Sequence, residues 1–135
     1  MPSVLLIDPE SSVILTLSMI LERDGYLVRT ANSYVAAASL LKSQRWDILI
    51  TELDLEAAQF GIRLAREARE LEFPPAIFIY TSCPDIDRLR AALALRIDYC
   101  GFKPLEVEII RNVVRLLLAR HGAGRQVPLE SSTRR

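Results

Sequence analysis

Short, nearly continuous apolar runs alternate along the chain with longer stretches in which apolar residues recur at helical spacing. Runs of this length, rich in β-branched residues, are typical of strands buried on both faces of a parallel sheet. The predicted strands are residues 4–7, 26–30, 46–51, 76–81 and 99–102. A helical pattern follows each strand, so the chain is predicted to form an α/β fold with a doubly wound, five-stranded parallel sheet and right-handed crossovers.

Local signals mark the ends of several helices. Asp8 is a candidate N-cap with Pro9 at the first helical position, and Gly25 is a natural C′ residue for the same helix. Asn32 or Ser33 is expected to cap the second helix. The residues of that helix expected to point inward are Val35, Ala38 and Leu41.

The last helix is predicted to end near Arg120. Beyond it the periodicity is lost and Gly, Pro, Ser and Thr accumulate. We therefore expect one folded domain over residues 1–120 and a disordered tail or linker over residues 121–135.

Charge and composition exclude several classes of protein. Lys+Arg and Asp+Glu are both 17, so no net field favours nucleic acid or an acidic membrane. No apolar run approaches a membrane span and no signal peptide is apparent, which indicates a cytoplasmic protein. Cys83 and Cys100 lack metal-site or CxxC spacing and are interpreted as free thiols in a reducing compartment. With no Walker loop or GxGxxG, nucleotide binding has no support, nor has a flavodoxin-like cofactor site.

Polar residues with side chains suited to catalysis or ligand binding follow the predicted strands. Asp8 comes after the first strand, Glu52 and Asp54 after the third, Thr81 after the fourth, and Lys103 after the fifth. The carboxyl ends of parallel strands are where ligand and catalytic groups collect in open α/β sheets. The question is whether these carboxylates perform chemistry there.

This order of residues, with Pro104 after Lys103, resembles the receiver domain of two-component response regulators over about residues 3–119. The resemblance implies a flavodoxin-like (βα)5 fold with strand order 2-1-3-4-5. In that family two acids after the first strand bind Mg²⁺, and an Asp after the third accepts a phosphoryl group from a histidine kinase. A Thr or Ser and a Lys then sense the phosphate, and an aromatic residue on the fifth strand reorients.

The chain departs from this family pattern at three positions. Pro9 stands where the second metal-binding acid belongs, and Glu52 stands at the acceptor position. Cys100 occupies the aromatic switch position, while Tyr99 is displaced by one residue and faces the other side of the strand. We therefore expect a degenerate acceptor pocket. Its members are Asp8, Pro9, Glu52, Asp54, Thr81 and Lys103.

Two interpretations of this pocket remain open. In the first, Glu52 forms an ion pair with Lys103, which either imitates a phosphorylated state or only stabilises the sheet edge, and the domain works without phosphorylation or enzymatic activity. Mg²⁺ is then not expected, with Asp8 and Glu52 as weak candidate ligands. In the second, Asp54 accepts phosphate while Asp8 and Glu52 hold Mg²⁺. A solvated loop acid is the simpler role for Asp54, a locally bonded hydroxyl for Thr81, and a solvent-facing position for Glu10.

The last helix has more apolar residues than one stripe needs, so it is expected to pack on the sheet and on something else. The alternative is a terminal helix that is merely buried more than usual. In the family, the face made by the fourth helix, fifth strand and fifth helix is the dimerisation and output surface. The residues expected there are Arg88, Arg90, Glu108, Ile109, Arg111 and Leu116. The implied partner is a protein of a bacterial signalling pathway or a second copy of this chain, with neither nucleic acid nor membrane.

Overall fold

The computed structural model describes residues 1–55, 60–82 and 85–134, with side chains through residue 122. Strands and helices alternate throughout. In chain order the elements are β1 (Ser3–Ile7), α1 (Ser11–Arg23), β2 (Leu27–Ala31), α2 (Tyr34–Ser43), β3 (Ile48–Glu52), α3 (Phe60–Arg69), β4 (Ala76–Thr81), α4 (Ile86–Ala94), β5 (Tyr99–Phe102) and α5 (Val107–Arg134).

All five strands are parallel, in the order β2-β1-β3-β4-β5. The predicted fold class and strand order are therefore confirmed. The central strands β1, β3 and β4 are buried at every position, which is why their sequences read as unbroken apolar runs. The register places Ile7 beside Thr51 and Glu52 beside Tyr80, so polar groups gather where the central strands end.

Alternate residues of the strands supply two core layers on opposite faces of the sheet. Leu49 and Trp46 belong to the layer that includes residues of α2 and α3. Phe78 belongs to the other layer, where Leu17 from α1 and Val114 from α5 cover the sheet. The helices thus close both faces, and the carboxyl ends of the strands are left as the place for a site.

Two of the three predicted helix-capping positions are confirmed. Ser33 is the N-cap of α2 and its hydroxyl oxygen accepts a hydrogen bond from the Ala36 backbone nitrogen at 3.2 Å. Gly25 follows the C-cap of α1 with φ of 95°, a conformation that favours glycine. However, α1 begins only at Ser11, because Asp8 forms a turn before the helix rather than capping it directly.

Val35 does not point inward as predicted, since 76% of its surface is exposed. The buried residues of α2 are Ala37 and Leu41. Val35 lies two residues before Ala37 and is thus rotated about 200° from it around the helix. The predicted stripe was one position out of phase at its start.

The last helix, α5, is longer than predicted and runs to Arg134 instead of ending near Arg120. Extending an existing helix costs far less than nucleating one, so the loss of apolar periodicity alone does not end it. The division into a domain over residues 1–120 and a separate tail stays a prediction. None of the helices in the described part of the chain is long and apolar enough to cross a membrane.

Candidate functional site

Lys103 lies at the centre of an acidic cluster at the carboxyl end of the sheet. It follows β5, where its backbone nitrogen donates to the Thr81 carbonyl oxygen at 2.9 Å. Its ammonium nitrogen lies 3.0 Å from Glu52 Oε1, 3.2 Å from Asp8 Oδ2 and 3.0 Å from Glu10 Oε1. The predicted ion pair of Glu52 with Lys103 is thus present. Glu10 is exposed, as expected, and its carboxylate also reaches Lys103.

The carboxylate of Glu52 is buried and both of its oxygens have donors. Oε1 faces Lys103, and Oε2 accepts a hydrogen bond from the Asp54 backbone nitrogen at 3.3 Å. Burial raises the pKa of Glu52, and the hydrogen bond and charge of Lys103 only partly offset that effect. Ionised Glu52 therefore depends on Lys103.

The ammonium group of Lys103 is held in its charged form by its neighbours. Burial acts to lower the pKa of Lys103, but the hydrogen bonds that it donates to Glu10 and Glu52 and the charge of Asp8 together raise it. Lys103 consequently remains a fixed positive charge across the physiological pH range.

Tyr80 is a member of the cluster that the sequence reading missed. Its hydroxyl group donates to Asp8 Oδ2 at 2.5 Å. Burial, followed by the charge of Asp8, raises the pKa of Tyr80, so its hydroxyl stays protonated. The available signal was its place in β4, one residue before Thr81 and in register with Glu52.

The donor set at this edge does not fit a magnesium ion. Asp8 Oδ1 accepts from the Glu10 backbone nitrogen at 2.7 Å, and its Oδ2 serves Tyr80 and Lys103. Pro9 is exposed and has no oxygen ligand in its side chain. Mg²⁺ requires a near-octahedral set of oxygens, whereas here the carboxylate oxygens face protein donors. Within the described residues no group of three or more His, Cys, Asp or Glu side chains could hold a metal.

Asp54 is not the solvated loop acid that was expected. Its Oδ1 forms an ion pair with the Arg88 guanidinium group of α4. Its Oδ2 accepts a hydrogen bond from Thr81 Oγ1 at 3.3 Å, so the Thr81 hydroxyl also reaches across the site. Arg88, predicted on the interaction face, instead directs its charge into the site.

Comparison with known proteins agrees with this fold. The model of the response regulator receiver domain matches residues 4–115. This chain belongs to that family. It is a receiver domain of two-component signalling. Receiver domains are generally signalling modules that interact with other signalling proteins.

Individual relatives are similar over most of the chain. The transcriptional regulatory protein AfsQ1 of Streptomyces coelicolor is 29% identical over 89% of this chain, which spans 52% of AfsQ1. The virulence sensor protein BvgS of Bordetella pertussis is 28% identical over 87% of this chain, which spans 10% of BvgS. The receiver thus matches only part of each relative.

A solved structure shows the same fold at low identity. The CheY-like response regulator receiver domain protein of Methanospirillum hungatei superposes with a TM-score of 0.86 at 16% identity. The match covers 92% of this receiver and 98% of that chain.

Cys100, at the position predicted to correspond to the aromatic switch, is half-buried, and burial raises the pKa of its thiol. The neighbouring Tyr99 packs against Phe78 with ring centroids 5.0 Å apart, in the core layer that α1 and α5 cover. Tyr99 therefore faces the side of the sheet that α1 and α5 cover, opposite to the side that Cys100 faces, as expected for neighbouring residues of a strand. Cys83 lies outside the described residues.

The predicted interaction face is only partly assembled. On α5, Ile110, Val114 and Leu117 are buried on the sheet, while Ile109 and Leu116 remain exposed. The helix therefore has a second apolar side that nothing in the described part of the chain covers.

The charged residues predicted on this face are distributed differently. Arg111 makes two hydrogen bonds of 2.9 Å with the Asp24 carboxylate at the end of α1, and it donates to Glu108 at 3.1 Å. Both residues consequently belong to the α1 side of α5. Arg90 is exposed on α4 as expected.

Proposed function

We propose that this receiver is a phosphorylation-independent protein-interaction module in a cytoplasmic signalling pathway of bacteria. The observation that carries the proposal is the pairing of Lys103 with Glu52 at 3.0 Å. Glu52 stands at the position where the family pattern has the acceptor Asp. The residue that would sense a phosphoryl group is therefore already bound to a carboxylate of the same chain.

The local charge also supports this function. Among the described residues, five carboxylates contact the two cations of the site: those of Asp8, Glu10 and Glu52 lie at Lys103, and those of Asp54 and Asp85 lie at Arg88. An incoming phosphodonor is itself an anion, and without a metal ion its approach to an acidic cluster is electrostatically unfavourable. The site is thus suited to remain unphosphorylated and not to cycle between phosphorylated and unphosphorylated states.

The partner surface that fits this module lies at α4, β5 and α5. Its exposed apolar side chains are Ile86, Leu93, Phe102, Val107, Ile109 and Leu116. Exposed apolar side chains on neighbouring elements are a common feature of interaction sites, and α4 and α5 precede and follow the edge strand β5. We infer that a protein partner, including a second copy of the receiver, binds there.

A direct phosphorylation assay tests the proposal. The receiver is incubated with acetyl phosphate or phosphoramidate and Mg²⁺, and its intact mass is measured. The proposal expects no stable mass increase. Gain of one phosphate would overturn it, and mapping the modified residue would then show whether Asp54 or Glu52 is the acceptor.

The rival function uses Asp54 as acceptor with Asp8 and Glu52 as metal ligands. The contacts of Asp54 with Arg88 and Thr81 weigh against it, because the carboxylate is engaged on both oxygens. Titration with beryllofluoride and Mg²⁺, followed by NMR, separates the two. Chemical-shift changes at Asp54 and Thr81 would favour the rival, and unchanged spectra would exclude it.

A further inference from the structure

Helix α4 is held to the rest of the domain by few buried apolar side chains. Ala92 is its only fully buried residue, while Leu89 is half-buried. Ile86 and Leu93 expose 72% and 61% of their surfaces. A short helix with so small an apolar anchor is stabilised little by packing, so polar contacts have an unusually large share in fixing its position.

Those polar contacts concentrate at the first turn of α4. Asp85 caps the helix by accepting hydrogen bonds from the backbone nitrogens of Asp87 at 2.9 Å and Arg88 at 3.2 Å. The guanidinium group of Arg88 lies 3.6 Å from Asp85 and forms its close ion pair with Asp54. Of these polar contacts, the one with Asp54 ties the helix to another part of the chain, because Asp85 is the N-cap of α4 itself.

Asp54 is in turn fixed to the centre of the site. Its backbone nitrogen donates to Glu52 Oε2 at 3.3 Å, and Glu52 Oε1 lies 3.0 Å from Lys103. The carboxylate oxygen of Asp54 that does not face Arg88, Oδ2, accepts a hydrogen bond from Thr81 at the end of β4. One continuous polar network therefore runs from Lys103 to α4.

We propose that the ion pair of Asp54 with Arg88 is a latch that fixes α4, and with it Ile86 and Leu93, in the orientation a partner protein binds. The latch rests on the proposed function, since it sets the geometry of that interaction surface. The side chains of Arg88 and Asp54 are 30% and 25% exposed. Because the ion pair is partly exposed, it can open, and a partner protein that contacts Ile86 and Leu93 shifts the balance toward the closed form, which couples partner binding to the position of α4.

Hydrogen exchange of the α4 backbone amides in Asp54→Asn tests the latch. The substitution keeps the shape of the side chain and removes its charge. We expect the amides of residues 86–94 to exchange about threefold to tenfold faster, in line with the loss of one charged hydrogen bond at a partly exposed site. The matched control is Asp87→Asn, which removes an exposed charge from the first turn of the same helix and should speed exchange less than Asp54→Asn does, because it breaks no contact with another element. Wild-type exchange in Asp54→Asn would overturn the latch.

Arg88→Gln provides an independent second variant, with Arg90→Gln as its control on the same helix. Arg88→Gln should reproduce the faster exchange, and combining it with Asp54→Asn should add nothing further because both remove one contact. Additive effects in the double variant would show that the two side chains act separately and would refute the latch. Phosphorylation of the wild-type receiver, measured by mass, would instead refute the proposed function, so the two failures are distinguishable.

Discussion

Tyr80 and Asp8 are joined by a hydrogen bond of 2.5 Å beneath the acidic cluster of the receiver. Asp8 is completely buried, and a buried carboxylate is costly unless it is well bonded. Tyr80, Lys103 and the Glu10 backbone nitrogen all donate to it. The protein itself thus supplies the positive charge and the hydrogen bonds that stabilise the Asp8 carboxylate, and these groups lie at the oxygens that a metal ion would bind.

Replacing Tyr80 with Phe should therefore destabilise the domain. The ring remains, but Asp8 loses a donor that water cannot replace in the closed core, a loss of about 1–3 kcal/mol in the free energy of unfolding. Urea denaturation measures it. Tyr99→Phe removes a hydroxyl from a ring in the same core layer and is the control. Equal stability of the two variants would show that the Tyr80 hydroxyl contributes nothing specific.

The pH dependence of stability should report on Glu52. Its pKa in the folded state is raised above 4.5, so the folded protein binds a proton more tightly than the unfolded chain. The contribution of Glu52 to stability consequently falls as pH rises from about 4.5 through its folded pKa. In Glu52→Gln this contribution is absent, and the stability of the variant relative to wild type should increase over that interval. Parallel curves from urea denaturation across the pH range would contradict the raised pKa.

Restoring both family acids should create a metal response. Pro9→Asp adds an oxygen ligand, and Glu52→Asp withdraws the carboxylate from Lys103 by one methylene. We expect Mg²⁺ to raise the melting temperature of the double variant in a concentration-dependent way, because a ligand that binds only the folded state stabilises it. The controls are the two single variants with Mg²⁺ and the double variant in buffer without divalent cations. If Mg²⁺ does not change the melting temperature of the double variant, the contacts of Asp8 with Tyr80 and Lys103 are strong enough to exclude the ion.

Gly61 allows α3 to begin directly against the end of β3. A Cβ atom there would lie 2.2 Å from the Leu53 carbonyl oxygen and 2.4 Å from that of Glu52. Gly61→Ala should thus force the backbone beside the site to shift and destabilise the domain by about 1–3 kcal/mol. Gly122→Ala is the control, since nothing lies within 4 Å of its Cβ position. A neutral or stabilising effect of Gly61→Ala in thermal unfolding would show that α3 can move away without cost.

The sequence predicted the sheet well because strands buried on both faces leave an unmistakable apolar run. It also predicted the contact of Glu52 with Lys103, since both follow parallel strands that end at one edge. It missed Tyr80, because an aromatic residue inside an apolar run reads as core and its hydroxyl direction depends on the neighbouring strands. The bond of Asp54 with Arg88 was missed for a similar reason, as it joins a loop to a helix whose rotation no local signal specifies.

The exposed apolar side of α5 should mediate self-association if the partner is a second copy of the receiver. Ile109 and Leu116 lie seven residues apart, two helical turns along one side of the helix, and Leu116 is 60% exposed. A glutamate at either position would bury an unpaired charge in the interface, so Ile109→Glu and Leu116→Glu should abolish a concentration-dependent mass measured by light scattering. Leu15→Glu, an equally exposed leucine on α1, should leave it unchanged. A wild-type receiver that stays monomeric at high concentration would exclude the dimer and leave a different protein as the partner of this surface.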